Sequence, residues 1–355
     1  MSNFECAKKA LDEIIEKSRV HMYKPIQIAE ILYHHRTYND IDLLKLEDYR
    51  TKSKKWRDDM SILLVGRKCS SSARFQDNIF EANAMPPSLL NELGKVNILT
   101  NGMVEAYIYS RFARKHSQLE DALNYCIHAD ISNFDVKKFI DSFWIESGLK
   151  RSLDKIYEII VYALFSTIVE ALNLKVEISV DAEHFDLLNE FEAFANSVMC
   201  IDFSHPTYIQ NAKVYRVGVT NAADRGLDMY SNWGPAIQIK HLSLDEELAK
   251  DIVSSVSSDK VVIVCKDAEK GVILSLLTQI GWRSHIQSII TEKDLIEWYE
   301  KALRGKYASL LGERLLNILQ IEIAEEFPSV AETPDILLMR GYDFNDIDFN
   351  HCILL

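Results

Sequence analysis

The chain has 355 residues, 40 Lys and Arg against 53 Asp and Glu, a formal net charge of −13, 48% hydrophobic and 26% charged residues, and only 12 Gly and 7 Pro. This composition supports a large buried core and excludes disordered, collagen-like and low-complexity classes. At this length a single core usually divides, so two domains are expected.

Residues 1–11 hold Glu5, Lys8 and Lys9 and no apolar run, so no secretory signal is expected. The longest uncharged apolar stretch, Ile159 to Val169, falls short of the ~20 residues that span a bilayer. No membrane span is expected, and the cytoplasm is the expected compartment. The six cysteines, at 6, 69, 126, 200, 265 and 352, are too scattered for a metal pair or disulfide scaffold and read as reduced, mostly buried thiols.

In chain order, helical spacing of apolar residues at Ala10 to Ile15, Ile26 to Tyr33 and Met103 to Phe112 predicts a mainly helical region 1–147, interrupted at Met85-Pro86-Pro87. A long helix follows over Leu153 to Leu172, then a strand over Lys175 to Val180 and a helix over Phe185 to Ala195. Strands are predicted at Val214 to Val219, Ala236 to Leu242, Val261 to Cys265 and Ile286 to Ile290. Helices are predicted at Asp245 to Val256, Gly271 to Ile280, Asp294 to Leu303 and Tyr307 to Ala324. Alternating strands and helices indicate an α/β fold with a mixed sheet over 148–325. Residues 326–355 form an acidic tail, with Glu326, Glu332, Asp335, Asp343, Asp346 and Asp348 against Arg340.

Charge is unevenly distributed. Residues 1–75 hold 15 Lys and Arg and 11 Asp and Glu, a net of +4, leaving −17 for the remainder. Arg50, Lys52, Lys54, Lys55 and Arg57 surround Trp56, and Arg67, Lys68, Arg74, Gln76 and Asn78 lie in or beside a serine-rich stretch. Lysine and arginine suit phosphate contacts, and Arg, Asn and Gln suit base edges. Lys52, Lys54, Lys55, Arg57, Arg67, Lys68, Arg74, Gln76 and Asn78 are therefore the candidate DNA contacts; a solvated helix end is the alternative for the basic run. The overall acidity does not conflict with this, because a local basic cleft supplies phosphate contacts whatever the net charge.

The stretch from Asn221 to His241 reads as two strands joined by a turn. Along the second, Ile237 and Ile239 face one way, Gln238 and Lys240 the other. Asp228, ten positions before Gln238, falls alongside on the preceding strand. A carboxylate, an amide oxygen and the Ile239 backbone carbonyl are hard donors suited to Mg2+, and Lys240 would serve an attacking water and the developing phosphorane charge. As a bare pattern this is weak, since many strands expose a Gln and a Lys. The order strand, turn, strand, helix strengthens it, and resembles the PD-(D/E)xK nuclease core in its variant with Gln at the acidic position. In that fold the first helix often carries a glutamate into the site; Glu158 is the candidate here, with Asp154 and Glu170 as rivals and an exposed helix carboxylate as the alternative.

The resemblance extends further. Ser18-Arg-Val-His-Met-Tyr-Lys-Pro25, Ser53-Lys-Lys-Trp-Arg-Asp58, Ser71-Ser-Ala-Arg-Phe-Gln-Asp-Asn-Ile-Phe80 and Gly226-Leu-Asp-Met229 through Gly234-Pro-Ala-Ile-Gln-Ile-Lys-His-Leu242 are similar to the HaeII family of type II restriction endonucleases, over about residues 8–325. That resemblance implies Mg2+-dependent cleavage of double-stranded DNA at a short palindrome, with RGCGCY as the first expectation, and 5′-phosphate ends. It also implies a homodimer and a cognate methyltransferase as genetic partner. The competing readings are a repair or methyl-directed nuclease of the same fold and a non-catalytic DNA-binding protein with a degenerate core. Neither a P-loop nor a GxSxG motif is present, and the histidines at 21, 34 and 35 lack a second cluster for an HNH site.

Overall fold

The computed structural model describes residues 3–68, 77–145, 149–217, 227–255, 258–269, 271–272, 286–328 and 335–342. The amino-terminal part is helical: α1 (Asn3–Lys17), α2 (Tyr23–Tyr38), α3 (Leu46–Tyr49), α4 (Lys52–Val65), α5 (Pro87–Leu99), α6 (Met103–Ile127) and α7 (Val136–Ile145). Then come α8 (Leu153–Ala171), β1 (Lys175–Ser179), α9 (Phe185–Glu190), α10 (Glu192–Met199), β2 (Thr207–Asn211), β3 (Val214–Arg216), β4 (Met229–Ser231) and β5 (Ala236–Lys240). The chain continues through α11 (Glu246–Ser255), β6 (Val261–Cys265), β7 (Ile286–Thr291), α12 (Glu292–Arg304), α13 (Ala308–Glu326) and α14 (Ile336–Met339).

Local chemistry accounts for several boundaries. α5 begins at Pro87, where the missing N–H costs nothing and φ is already helical. α12 is fixed by a capping box in which Thr291 and Asp294 satisfy each other's backbone N–H. In α1, Ala7, Leu11, Ile14 and Ile15 form one buried stripe. Residues 25–32 of α2 are all buried, because α1, α4, α5 and α6 surround that helix. Its polar residues are therefore paired: Gln27 donates to Ser53 Oγ and accepts from Arg57, and Glu30 meets Tyr109 and Arg340.

A five-stranded mixed sheet runs β3-β4-β5-β6-β7. Pairing is antiparallel through β5 and parallel from β5 to β7. All five residues of β6 are buried, as expected of a strand covered on both faces. Val262 and Val264 join Ile237, Ile239 and α8 in one core; Val261, Ile263 and Cys265 join Leu244, Ala249 and Ile252 in another. α8 packs on β3, β5 and α13. The core under the sheet reaches back to Leu119, Leu123, Cys126, Phe139 and Phe143, while Val104 to Phe112 belong to the amino-terminal core. α6 thus runs from one core into the other.

Some expectations change. The strand at Lys175 does not join the main sheet; β1 pairs antiparallel with β2, a strand the polar sequence Thr-Tyr-Ile-Gln-Asn did not announce. The helix over Phe185 to Ala195 is two helices, because Phe191 leaves helical dihedrals at φ −109°, ψ 27°. Of the four described cysteines, Cys126 and Cys265 are buried and Cys6 and Cys200 exposed; Cys69 and Cys352 lie outside the described residues. Glu326 is buried against Arg216 rather than solvated, and Ile336 sits in the amino-terminal core with Arg340 on Glu30. Glu332, Asp343, Asp346 and Asp348, and residues 273–280 of the expected helix, lie outside the described residues. Among the described residues no helix is long and apolar enough to cross a membrane.

Candidate active site

The turn between β4 and β5 sets the geometry. Gly234 adopts φ +125°, a backbone conformation closed to most L residues. The Ser231 N–H and hydroxyl both donate to the Pro235 carbonyl, at 3.0 and 3.1 Å. Asn232 ties the turn to the start of β3 by accepting from the Lys213 N–H at 2.9 Å. Met229 then faces Ile237 and Tyr230 faces Ala236. Asp228, just before β4, therefore comes level with Gln238, as the ten-residue spacing predicts.

Asp228 Oδ2 accepts the Ile239 N–H at 2.7 Å. Burial pushes this carboxyl above its usual range, and Asp154 adds to the rise; the Ile239 bond and the Lys240 and Lys155 ammoniums oppose it without cancelling it. Glu158, on α8, is 5% exposed and receives the Lys155 ammonium on both oxygens, at 2.8 and 2.7 Å. Its pKa is nonetheless raised to about 7, because desolvation outweighs Lys155, and Asp228 pushes the same way. One turn earlier, Asp154 is paired with His241 Nδ1. Burial alone would raise Asp154, but that bond and the Lys240 and Arg19 charges hold it below the usual carboxylate range.

Gln238 is 1% exposed, and its Nε2 has no hydrogen-bond partner among the described residues. It shares a strand face with Lys240, opposite the Ile237 and Ile239 side chains that enter the core. The structure thus gathers Asp228, Lys240 and Glu158 with Asp154 and Lys155, and places Gln238 two residues from Lys240 on the same strand face. Glu170 stands apart, paired with Arg314.

Among the described residues no three His, Cys, Asp or Glu side chains converge as a metal cage. The available donors are instead carboxylate, amide and backbone carbonyl oxygens, and one buried amide is left without a partner on its nitrogen. That donor set suits Mg2+, which takes few protein oxygens and keeps several waters.

Beside this site lies a group that sequence spacing did not reveal. The half-exposed Trp144 indole has Lys266 Nζ 4.0 Å and Lys150 Nζ 5.7 Å from its centroid, and the His241 ring 6.4 Å away. These residues lie up to 122 positions apart, so only the fold joins them.

The amino-terminal set divides. Lys52, Lys55 and Lys68 are exposed. Lys54 is bonded to Asp77 at 2.8 Å, and Asn78 accepts from Lys24 at 2.5 Å. Arg57 is 2% exposed, with its guanidinium on Asp58 and Gln27, so it faces the helical core rather than the solvent where a phosphate contact was expected. Arg67 donates to the Glu326 carbonyl at 2.8 Å and lies 2.9 Å from His21 Nε2, linking the helical region to the end of α13. Arg74 and Gln76 lie outside the described residues.

No solved structure matches the chain. Among curated proteins, it is 55% identical to "Type II restriction enzyme HaeII" of Haemophilus aegyptius over 351 residues, covering 99% of this chain and 96% of that one. It is 54% identical to "Type II restriction enzyme NgoBI" of Neisseria gonorrhoeae over 346 residues, covering 97% and 98%. The family model described as HaeII restriction endonuclease matches residues 7–342. With that model matched along nearly the whole sequence and two relatives above half identity, the chain belongs to the HaeII restriction endonuclease family and is an enzyme of the type II restriction class.

Proposed function

We propose that this chain hydrolyses both strands of DNA at a short palindrome, RGCGCY first among those to test, with a divalent cation, Mg2+, as cofactor. In this reading it leaves 5′-phosphate ends and works in the cytoplasm as a homodimer beside a cognate methyltransferase. The nuclease core is of PD-(D/E)xK type. The observation that carries this reading is the Asp228 carboxylate fastened to the Ile239 amide, one residue before Lys240. Family membership sets aside the readings as a repair nuclease or an inactive binder.

Asp228, the Gln238 amide oxygen and the Ile239 carbonyl would hold the cation. Bound there, it would supply Lewis-acid charge to the scissile phosphate. Lys240 orients the attacking water and stabilises charge developing on the phosphorane. Glu158 provides a second acidic group, at a pKa of about 7 suited to receiving a proton from that water. Lys155 holds Glu158 in place and offsets the charge of the carboxylates around it. Lys52, Lys55 and Lys68 serve as phosphate contacts; Lys54, Arg67 and Asn78 serve only on leaving their present partners, and Arg74 and Gln76 are the base-reading candidates.

The test is digestion of an unmethylated plasmid of known sequence with Mg2+ or with EDTA, followed by sequencing of the fragment ends. Discrete Mg2+-dependent fragments sharing one palindrome are expected. Equal cutting in EDTA, or a random smear, would overturn the reading.

A further inference from the structure

Residues 172–212 form a small excursion from the sheet, in which α9 and α10 pack on Tyr208 of β2 and on Val180, while most of the β1-β2 pair stays exposed. Its core of Leu188, Ala195 and Ile201 is separate from those of the sheet and the helical region. The two helices carry a second apolar face. Leu187 is 59% exposed, Phe191 57%, Phe194 57% and Val198 64%, and Phe203, 49% exposed, follows. Leu187 on α9 and Phe194 and Val198, one turn apart on α10, flank Phe191 at the break between the two helices, whereas Leu188 and Ala195 are buried.

With aromatic side chains presenting roughly 150–250 Å² each when fully exposed, these five residues leave on the order of 600 Å² of apolar surface open. A single soluble chain rarely exposes a larger patch. Two such faces together amount to about 1,200 Å², the lower bound for a stable interface. Nucleic acid does not fit here, because residues 172–212 hold seven Asp and Glu and a single Lys. A two-fold interface uses the same patch on both copies, and in the palindrome-cleaving reading each of two symmetric copies addresses one half-site.

We propose that the patch of Leu187, Phe191, Phe194 and Val198, with Phe203, is the surface through which two copies of this chain pair. The assignment rests on the palindrome-cleaving reading for its partner, and on the exposed area for its location. Because the rims are acidic on both copies, added salt screens repulsion, so pairing tightens or holds as salt rises, the reverse of a DNA contact.

The experiment is analytical ultracentrifugation of the full chain at low and high NaCl, with Phe194→Glu/Val198→Glu and the milder Phe194→Ala/Val198→Ala compared by circular dichroism and thermal melting. A wild-type dimer that salt does not weaken is expected, with dimer dissociation constants raised at least ~100-fold by the glutamates and less by the alanines, and folding unchanged. A wild-type dimer with both double variants still dimeric would overturn this surface and leave the palindrome reading standing. A wild type monomeric with and without palindromic DNA would overturn both.

Discussion

The Asp228 carboxylate is fastened to the Ile239 amide at 2.7 Å, so an acid preceding one strand is locked to the backbone of its neighbour beside Lys240. The contact keeps a partly desolvated charge in place at the expense of stability, since burial raises the carboxyl's pKa. Asp228→Asn keeps an acceptor for the Ile239 N–H and removes the charge. It should lower cleavage by at least ~100-fold while leaving the melting temperature equal or higher. A variant that melts well below the wild type would show that the carboxylate serves folding instead.

Glu158 gives a pH signature. Its folded pKa, about 7, lies above the unfolded value of about 4.5, so the folded state binds the extra proton between them. The associated stability is fully present below pH ~4.5 and lost as pH rises through ~7, on the order of 3 kcal/mol at most. Urea titrations in EDTA should show this slope in the wild type and its loss in Glu158→Gln. Parallel curves for the two proteins would contradict the assignment.

Trp144 with Lys150 and Lys266 forms a cationic rim next to the Asp154–His241 pair. Lys266→Ala should weaken binding of any duplex and reduce the dependence of log affinity on log salt by about one unit, with the cleaved sequence unchanged. An unaltered salt slope would exclude Lys266 from the phosphate path.

How far the sequence foretold this arrangement depends on whether the signal was local. The run Val261 to Cys265 reads directly as a strand buried on both faces, and the ten-residue spacing from Asp228 to Gln238 places the two level because strand pairing and side-chain alternation are both periodic. Arg57 departs from the phosphate-contact expectation because helical rotation turns one position of a basic run inward, where Gln27 and Asp58 satisfy it. The strand Thr207–Asn211 lacks apolar alternation and forms through pairing with β1. The Trp144 cluster is a product of tertiary packing, with no periodic trace.

Gly234 is the backbone condition for the site. At φ +125° a side chain is strained although none of the described residues lies within 4 Å of its Cβ position, so the effect of substitution is conformational rather than steric. Gly234→Val should cost about 1–3 kcal/mol in denaturant titrations and lower cleavage by more than that loss explains, because the turn sets Asp228 against Gln238. Full activity in Gly234→Val would show that this register does not govern catalysis.

In the proposed mechanism Asp228 and Lys240 act together on the scissile phosphate. Lys240→Ala tests this when assayed twice, for cleavage with Mg2+ and for binding of the same palindromic duplex with Ca2+ in place of Mg2+. Cleavage should fall at least ~100-fold with the dissociation constant changed less than about tenfold. Cleavage retained within a few-fold of the wild type would contradict the account.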